Sequence, residues 1–139
     1  STDRVTKAVL EGDSKIVVHE KIMTHGTQFA ETNFTVDLNG EGSATHVISR
    51  SVAKDKSRQS FLSHVNGNNR CSGHTECDAI IMDDAQVTAL PQIEANLVDA
   101  ALIHEAAIGK IAGEQLMKLM SLGLSEKEAE EQIVNGFLK

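Results

Sequence analysis

The stretch NRCSGHTECDAIIMDDAQVTAL, Asn69 to Leu90, decides how this chain reads. The short aliphatic run Ala79-Ile80-Ile81 is followed by Asp83-Asp84 and then by Gln86 to Leu90, where Val87 and Ala89 again alternate with polar neighbours. Aliphatic run, polar turn, aliphatic run is the pattern of short β-strands. The same stretch holds both cysteines of the chain, Cys71 and Cys77, beside His74, Glu76 and Asp78.

The pattern extends in both directions. Candidate strands are Val5 to Leu10, Lys15 to Met23, Gln28 to Leu38, Ser43 to Ala53, Gln59 to Val65, Cys77 to Met82 and Gln86 to Leu90. Gly12-Asp13-Ser14, Gly26, Asn39-Gly40-Glu41-Gly42, Asp55-Lys56 and Asn66-Gly67-Asn68-Asn69 supply the turns. Seven strands thus precede any credible helix. Such a run can close into a sandwich, a barrel or a β-solenoid. The solenoid is favoured because there are only four Phe and neither Trp nor Tyr, and because small or aliphatic side chains occupy the inward positions. No clean repeat motif accompanies it. Pro91 reads as the end of the last long strand, with short additions at Ile93 to Ala95 and Ala100 to Ile103.

After that the period changes. Leu116, Met117, Leu119 and Met120 form a helical stripe within Glu114 to Leu122, closed by Gly123 where a left-handed cap is expected. Ser125 and Glu128 then make a capping box, and Ala129, Ile133, Val134 and Phe137 form the buried face of a second helix. Helices this short are marginal alone, so the hairpin must pack on the β part or on a partner. The expected organisation is a β core over residues 1–103 and a helical segment over residues 104–139.

At 139 residues the chain fits one domain, and 40% apolar residues suffice for an aliphatic core. A net charge of −7 with no basic cluster excludes nucleic acid as a partner, and no apolar run is long enough to span a membrane. Two cysteines do not make a disulfide scaffold, so a cytoplasmic, reducing setting with free or ligating thiols is the default. The absence of an initial Met suggests that a preceding region is missing.

Thiolate, imidazole and carboxylate together point to iron, zinc or an iron–sulfur cluster. Five residues separate Cys71 from Cys77, unlike the tight spacing of a zinc knuckle, so Cys77 reads equally as a small buried hydrophobe. The second piece of the expected site is His104-Glu105-Ala106-Ala107-Ile108-Gly109. As neighbours, His104 and Glu105 diverge on either regular backbone, so one is read as a ligand and the other as its orienter. His74 joins them as a candidate; His19, His25, His46 and His64 read as solvated or core histidines. The glutamates of the second helix read as a solvated face. No phosphate loop, nucleophile elbow, zincin helix, hexapeptide repeat or acidic cluster on successive turns is visible, and the chain is read as not an enzyme.

Gly73 to Asp78, His104 to Ile111, Glu114-Gln115-Leu116, Gly123 to Ala129 and Ile133 to Phe137 resemble, in the same order, the C-terminal part of the SufB/SufD family of iron–sulfur cluster assembly proteins. The resemblance implies a right-handed parallel β-helix followed by a small helical hairpin that docks the ABC-type ATPase SufC, through Leu116, Leu119, Met120, Ile133 and Phe137. It implies pairing through the β-helix with a SufD-like or second SufB-like subunit. SufB-type members carry Cys and His-Glu-Ala at the positions of Cys77 and His104 to Ala106, so the resemblance is to SufB, with Cys77, Glu105 and His104 as ligands of a transient cluster. More ligands are expected from the partner subunit, and no cluster is expected after aerobic purification. The family is much longer, and Cys71 matches none of its hallmarks. The rival expectation is a SufD-like platform that organises SufC and a partner without binding a cluster.

Overall fold

The structure, a computed structural model, describes residues 2–139. Among the described residues eight strands come first: β1 (Thr2–Leu10), β2 (Lys15–Thr24), β3 (Phe29–Leu38), β4 (Ser43–Ala53), β5 (Arg58–Gly67), β6 (Cys71–Ile81), β7 (Gln86–Ala95) and β8 (Ala100–Gly109). Two helices follow, α1 (Gly113–Ser121) and α2 (Glu126–Phe137). Odd strands form one sheet in the order β1-β3-β5-β7 and even strands a second in the order β2-β4-β6-β8. Every pairing is parallel. The chain is therefore a β-solenoid of four turns, each turn adding one strand to each sheet.

One circuit takes 28 or 29 residues, as Thr2 stacks on Ala30 and Ala30 on Gln59. Alternation then places every second side chain inside. Ala8, Val36 and Val65 share one inner rank, and Leu10, Leu38 and Gly67 another. The repeat is one of facing and size rather than of residue identity, which is why no motif is visible in the sequence.

The interior has two halves. Phe34, Val36, Leu38, Val47, Phe61 and Val65 make an aliphatic and aromatic core, with Cys71 and Cys77 packed in it. Toward the other end of the strands the interior is polar: Glu20, Thr32, Ser49, Ser51, Ser57 and Gln59 are buried. Hydrogen bonds satisfy this half, with the Glu20 carboxylate accepting from Thr32 Oγ1, Ser49 Oγ and the Arg4 guanidinium. The turns stack as well, Asn96 donating to Asn68 at 2.6 Å and Asn68 to Asn39 at 2.7 Å.

Two boundaries differ from expectation. Pro91 lies inside β7 rather than ending it, because β7 is the edge of its sheet and pairs only with β5. A residue without an N–H is tolerated at such an edge. The strand pattern also continues past residue 103: β8 runs to Gly109, and His104 and Glu105 belong to the solenoid rather than to the helical segment. Ala106-Ala107-Ile108 is short of strand-forming residues, but β6 pairs with β8 along its length and holds it extended. Gly73 faces inward under this last turn, where a Cβ would lie 2.9 Å from Leu102 Cδ2 and would require that side chain to shift.

The hairpin follows its sequence signals. Gly123, with φ of 99°, and Leu124 return N–H donors to the Met120 and Leu119 carbonyls, the pairing of a left-handed helix cap. Ser125 Oγ accepts from the Glu128 N–H at 3.2 Å. Ala129 and Val134 of α2 are buried, and Leu119, Ile133 and Phe137 line a groove together with Ile80 of β6. Among the described residues no helix is long and apolar enough to cross a membrane.

Leu38 has no exposed surface and stacks between Leu10 and Gly67. Leu38→Ala is expected to cost about 2 to 5 kcal/mol in denaturant unfolding. A loss below about 1 kcal/mol would mean that the two sheets are not close-packed there.

Candidate functional site

The candidate residues lie on β6 and β8, the last two strands of the second sheet. β6 is held between β4 and β8, whereas β8 is an edge with one neighbour. In register, Thr75 faces His104, Glu76 faces Glu105 and Cys77 faces Ala106. Each of these pairs shares a face, and successive pairs alternate between faces.

Inside, Cys77 is 1% exposed and sits in one rank with Ser49 and Glu20. Burial, with the charges of Asp78 and Glu20 nearby, pushes its thiol up to about 11, so at neutral pH it is protonated. His104 also turns inward, beside Thr75 and one rank from Cys77. Neither of its ring nitrogens has a hydrogen-bond partner among the described residues. Burial, and then the neighbouring His74, hold it below the ordinary imidazole range. It is a neutral imidazole with free donor and acceptor capacity, facing the same interior as a protonated thiol.

Outside, Glu105 lies next to Glu76, and His74 Nε2 stands 3.6 Å from Glu105 Oε2. The His74 ring stacks on that of His46, with centroids 5.0 Å apart. Asp78 continues the same outer row, its carboxyl raised by burial first and by Glu76 next. One donor atom from each of His74, Glu76 and Glu105 falls within a span of 4.8 Å.

The expectation that Cys77, His104 and Glu105 converge on one ligand therefore changes in a specific way. Cys77 and His104 share the inner face, and Glu105 points away from them on the outer face of the same sheet. The cause is strand parity, since 104 and 105 are adjacent on an extended strand. Cys71 is also inward and buried, and both cysteines are free. His74 and Glu76, which stood near the site in sequence, join Glu105 instead of Cys77. Glu20 was not recognised from sequence, yet its place in the inward series Ile16, Val18, Glu20, Ile22 was a usable signal, because an acid at that parity demands partners. Of the residues expected to meet an ATPase, Leu116, Leu119, Ile133 and Phe137 are half-buried, and Met120 is exposed alongside Met117 and Leu122.

Residues 3–137 match the SUF system FeS cluster assembly SufBD core domain. The chain belongs to the SufBD family. It is 37% identical over 134 residues to an iron–sulfur cluster assembly SufBD family protein of Methanothermobacter thermautotrophicus, covering 94% of this chain and 33% of that protein. A SufBD family protein of Archaeoglobus fulgidus is 34% identical over 134 residues, with 95% of this chain and 36% of that protein covered. The iron–sulfur cluster assembly protein SufB of Bacillus subtilis is 35% identical over 97 residues, covering 67% of this chain and 21% of that protein. The chain thus spans about a third or less of the length of these SufBD relatives.

The Cys77 thiol makes stability depend on alkaline pH. Between the ordinary thiol range and about 11 the folded chain keeps this proton and the unfolded chain releases it, so stability falls as pH rises through that window. The loss is expected to reach at most about 3 kcal/mol and to be absent in Cys77→Ala. Denaturant melts at pH 8 to 11 would contradict the burial of this thiol if both proteins showed the same slope.

Proposed function

We propose that this chain acts as a SufB-like component of an iron–sulfur cluster assembly scaffold, working with a SufC-type ABC ATPase and carrying no enzymatic activity of its own. The observation that carries the reading is the placement of Cys77 and Glu105 on the paired strands β6 and β8, one residue apart in register and on opposite faces of the sheet: Cys77 stands opposite Ala106, the residue next to Glu105. Cys77 is the sulfur-accepting thiol and Glu105 an iron ligand. A carboxylate is a hard, exchangeable ligand for iron, which suits a cluster that must leave. His104 offers an uncommitted imidazole on the thiol's side.

The fold suggests how the two faces are brought into play. Only Lys110, Ile111 and Ala112 link edge strand β8 to α1. An ATPase seated on α1 and α2, at Leu116, Leu119, Met120, Ile133 and Phe137, pulls through this short link on a strand held from one side only. Displacing β8 uncovers Cys77, and water lowers the thiol from its raised value toward the ordinary range. The thiolate then attacks the outer sulfur of a donor persulfide and releases the donor thiolate. A SufD-like or second SufB-like subunit, paired through the solenoid, completes the iron ligand set.

A SufD-like platform that docks the ATPase and a partner without holding a cluster is the second reading. It is favoured by the burial of Cys77 and by the opposite facing of Glu105. Anaerobic reconstitution with iron and sulfide, in the presence of a SufC-type ATPase, a partner subunit and ATP, separates the two. Wild-type chain is expected to gain visible cluster absorption that Cys77→Ala loses by at least threefold. Equal cluster content in both proteins would favour the platform, as would ATPase binding with no cluster in either.

A further inference from the structure

A second chemistry lies on the outer face of β6 and β8. His74, Glu76 and Glu105 place one donor atom each within 4.8 Å, and His74 Nε2 is 3.6 Å from Glu105 Oε2. Donor atoms around one first-row divalent ion, at metal distances of about 2.0 to 2.2 Å, sit roughly 3 to 4 Å apart. The imidazole and one carboxylate already have that spacing, and a donor oxygen of Glu76 lies within 4.8 Å of both.

Charge balance points the same way. Glu76 and Glu105 are direct partners on neighbouring strands, and Asp78 follows on the same face. Like charges facing each other across a ladder destabilise it. Among the described residues neither Glu76 nor Glu105 forms an ion pair with Lys or Arg; the partner is the His74 imidazole. That ring is held by stacking on His46, which fixes its orientation. On the same face Arg50 of β4 stands opposite Asp78 rather than Glu76 or Glu105. An oriented imidazole beside two carboxylates without a Lys or Arg ion pair is a nitrogen and oxygen donor set suited to Fe²⁺, Zn²⁺ or Co²⁺ and lacking the thiolate that favours softer ions.

We propose that His74, Glu76 and Glu105 form a mononuclear site for a first-row divalent cation, on the solvent side of the sheet whose inner side carries Cys77. The site needs no second subunit and no sulfur. Its assignment to ferrous iron awaiting transfer rests on the assembly reading above, whereas its existence rests on the outer-face geometry alone. The two therefore fail separately: equal cluster content in wild type and Cys77→Ala removes the assembly reading and leaves this site standing.

The test is anaerobic calorimetric titration of the full chain with Co²⁺ and with Fe²⁺, alongside the visible spectrum of the Co²⁺ form. One equivalent is expected to bind with micromolar affinity, giving ligand-field bands and no sulfur-to-cobalt charge-transfer absorption. His74→Ala and Glu76→Gln are each expected to weaken binding at least tenfold, with circular dichroism unchanged. Millimolar or weaker binding by wild type would overturn the site. So would a charge-transfer band from sulfur, or full affinity in both variants.

Discussion

Lateral stacking of parallel strands in strict register is the interaction on which the rest of this molecule depends. Each residue of the solenoid lies beside its counterpart one circuit earlier and one circuit later, so its rank and its face are set together. A slip of one residue would send Leu38 and Val36 to solvent and bring Asp37 into the core. The apolar ranks prevent this, and the stacked Asn39, Asn68 and Asn96 pin the same register at one set of turns. Because the register is fixed, every chemically active side chain is assigned to the inside or the outside by its parity.

That assignment divides the candidate residues into two groups separated by one thickness of sheet. The interior holds a protonated thiol, a neutral unpaired imidazole and a fully hydrogen-bonded acid. The outer face holds the half-buried carboxylates of Glu76 and Asp78, the exposed carboxylate of Glu105 and stacked imidazoles. On β6 and β8 the thiol of Cys77 and the carboxylates of Glu76 and Glu105 thus lie on opposite faces, and β8 is free along one edge.

Much of this was legible in the sequence. Strand positions followed from aliphatic alternation and turn residues, and the hairpin followed from Gly123 and from the pairing of Ser125 with Glu128, both local signals that keep their meaning in any context. Less was legible where a tertiary neighbour decides the outcome. The weak strand formers after His104 are extended because β6 pairs with them, and Pro91 is accepted because nothing pairs beyond β7. The site suffered most. Adjacency of Cys77 with His74 and Glu76, and of His104 with Glu105, suggested one cluster; with His74 to Cys77 lying within the single strand β6, that proximity spread the ligands over both faces.

The central claim is that Cys77 and Glu105, one strand apart, open onto opposite sides of the sheet. Alkylation of Glu105→Cys, in a Cys71→Ser background that retains Cys77, followed by mass spectrometry of each thiol, measures this directly. The account predicts that position 105 reacts under native conditions at the rate of an exposed thiol, while Cys77 in the same molecules reacts at least a hundredfold more slowly until the chain is unfolded. Equal native reactivity at the two positions would contradict it.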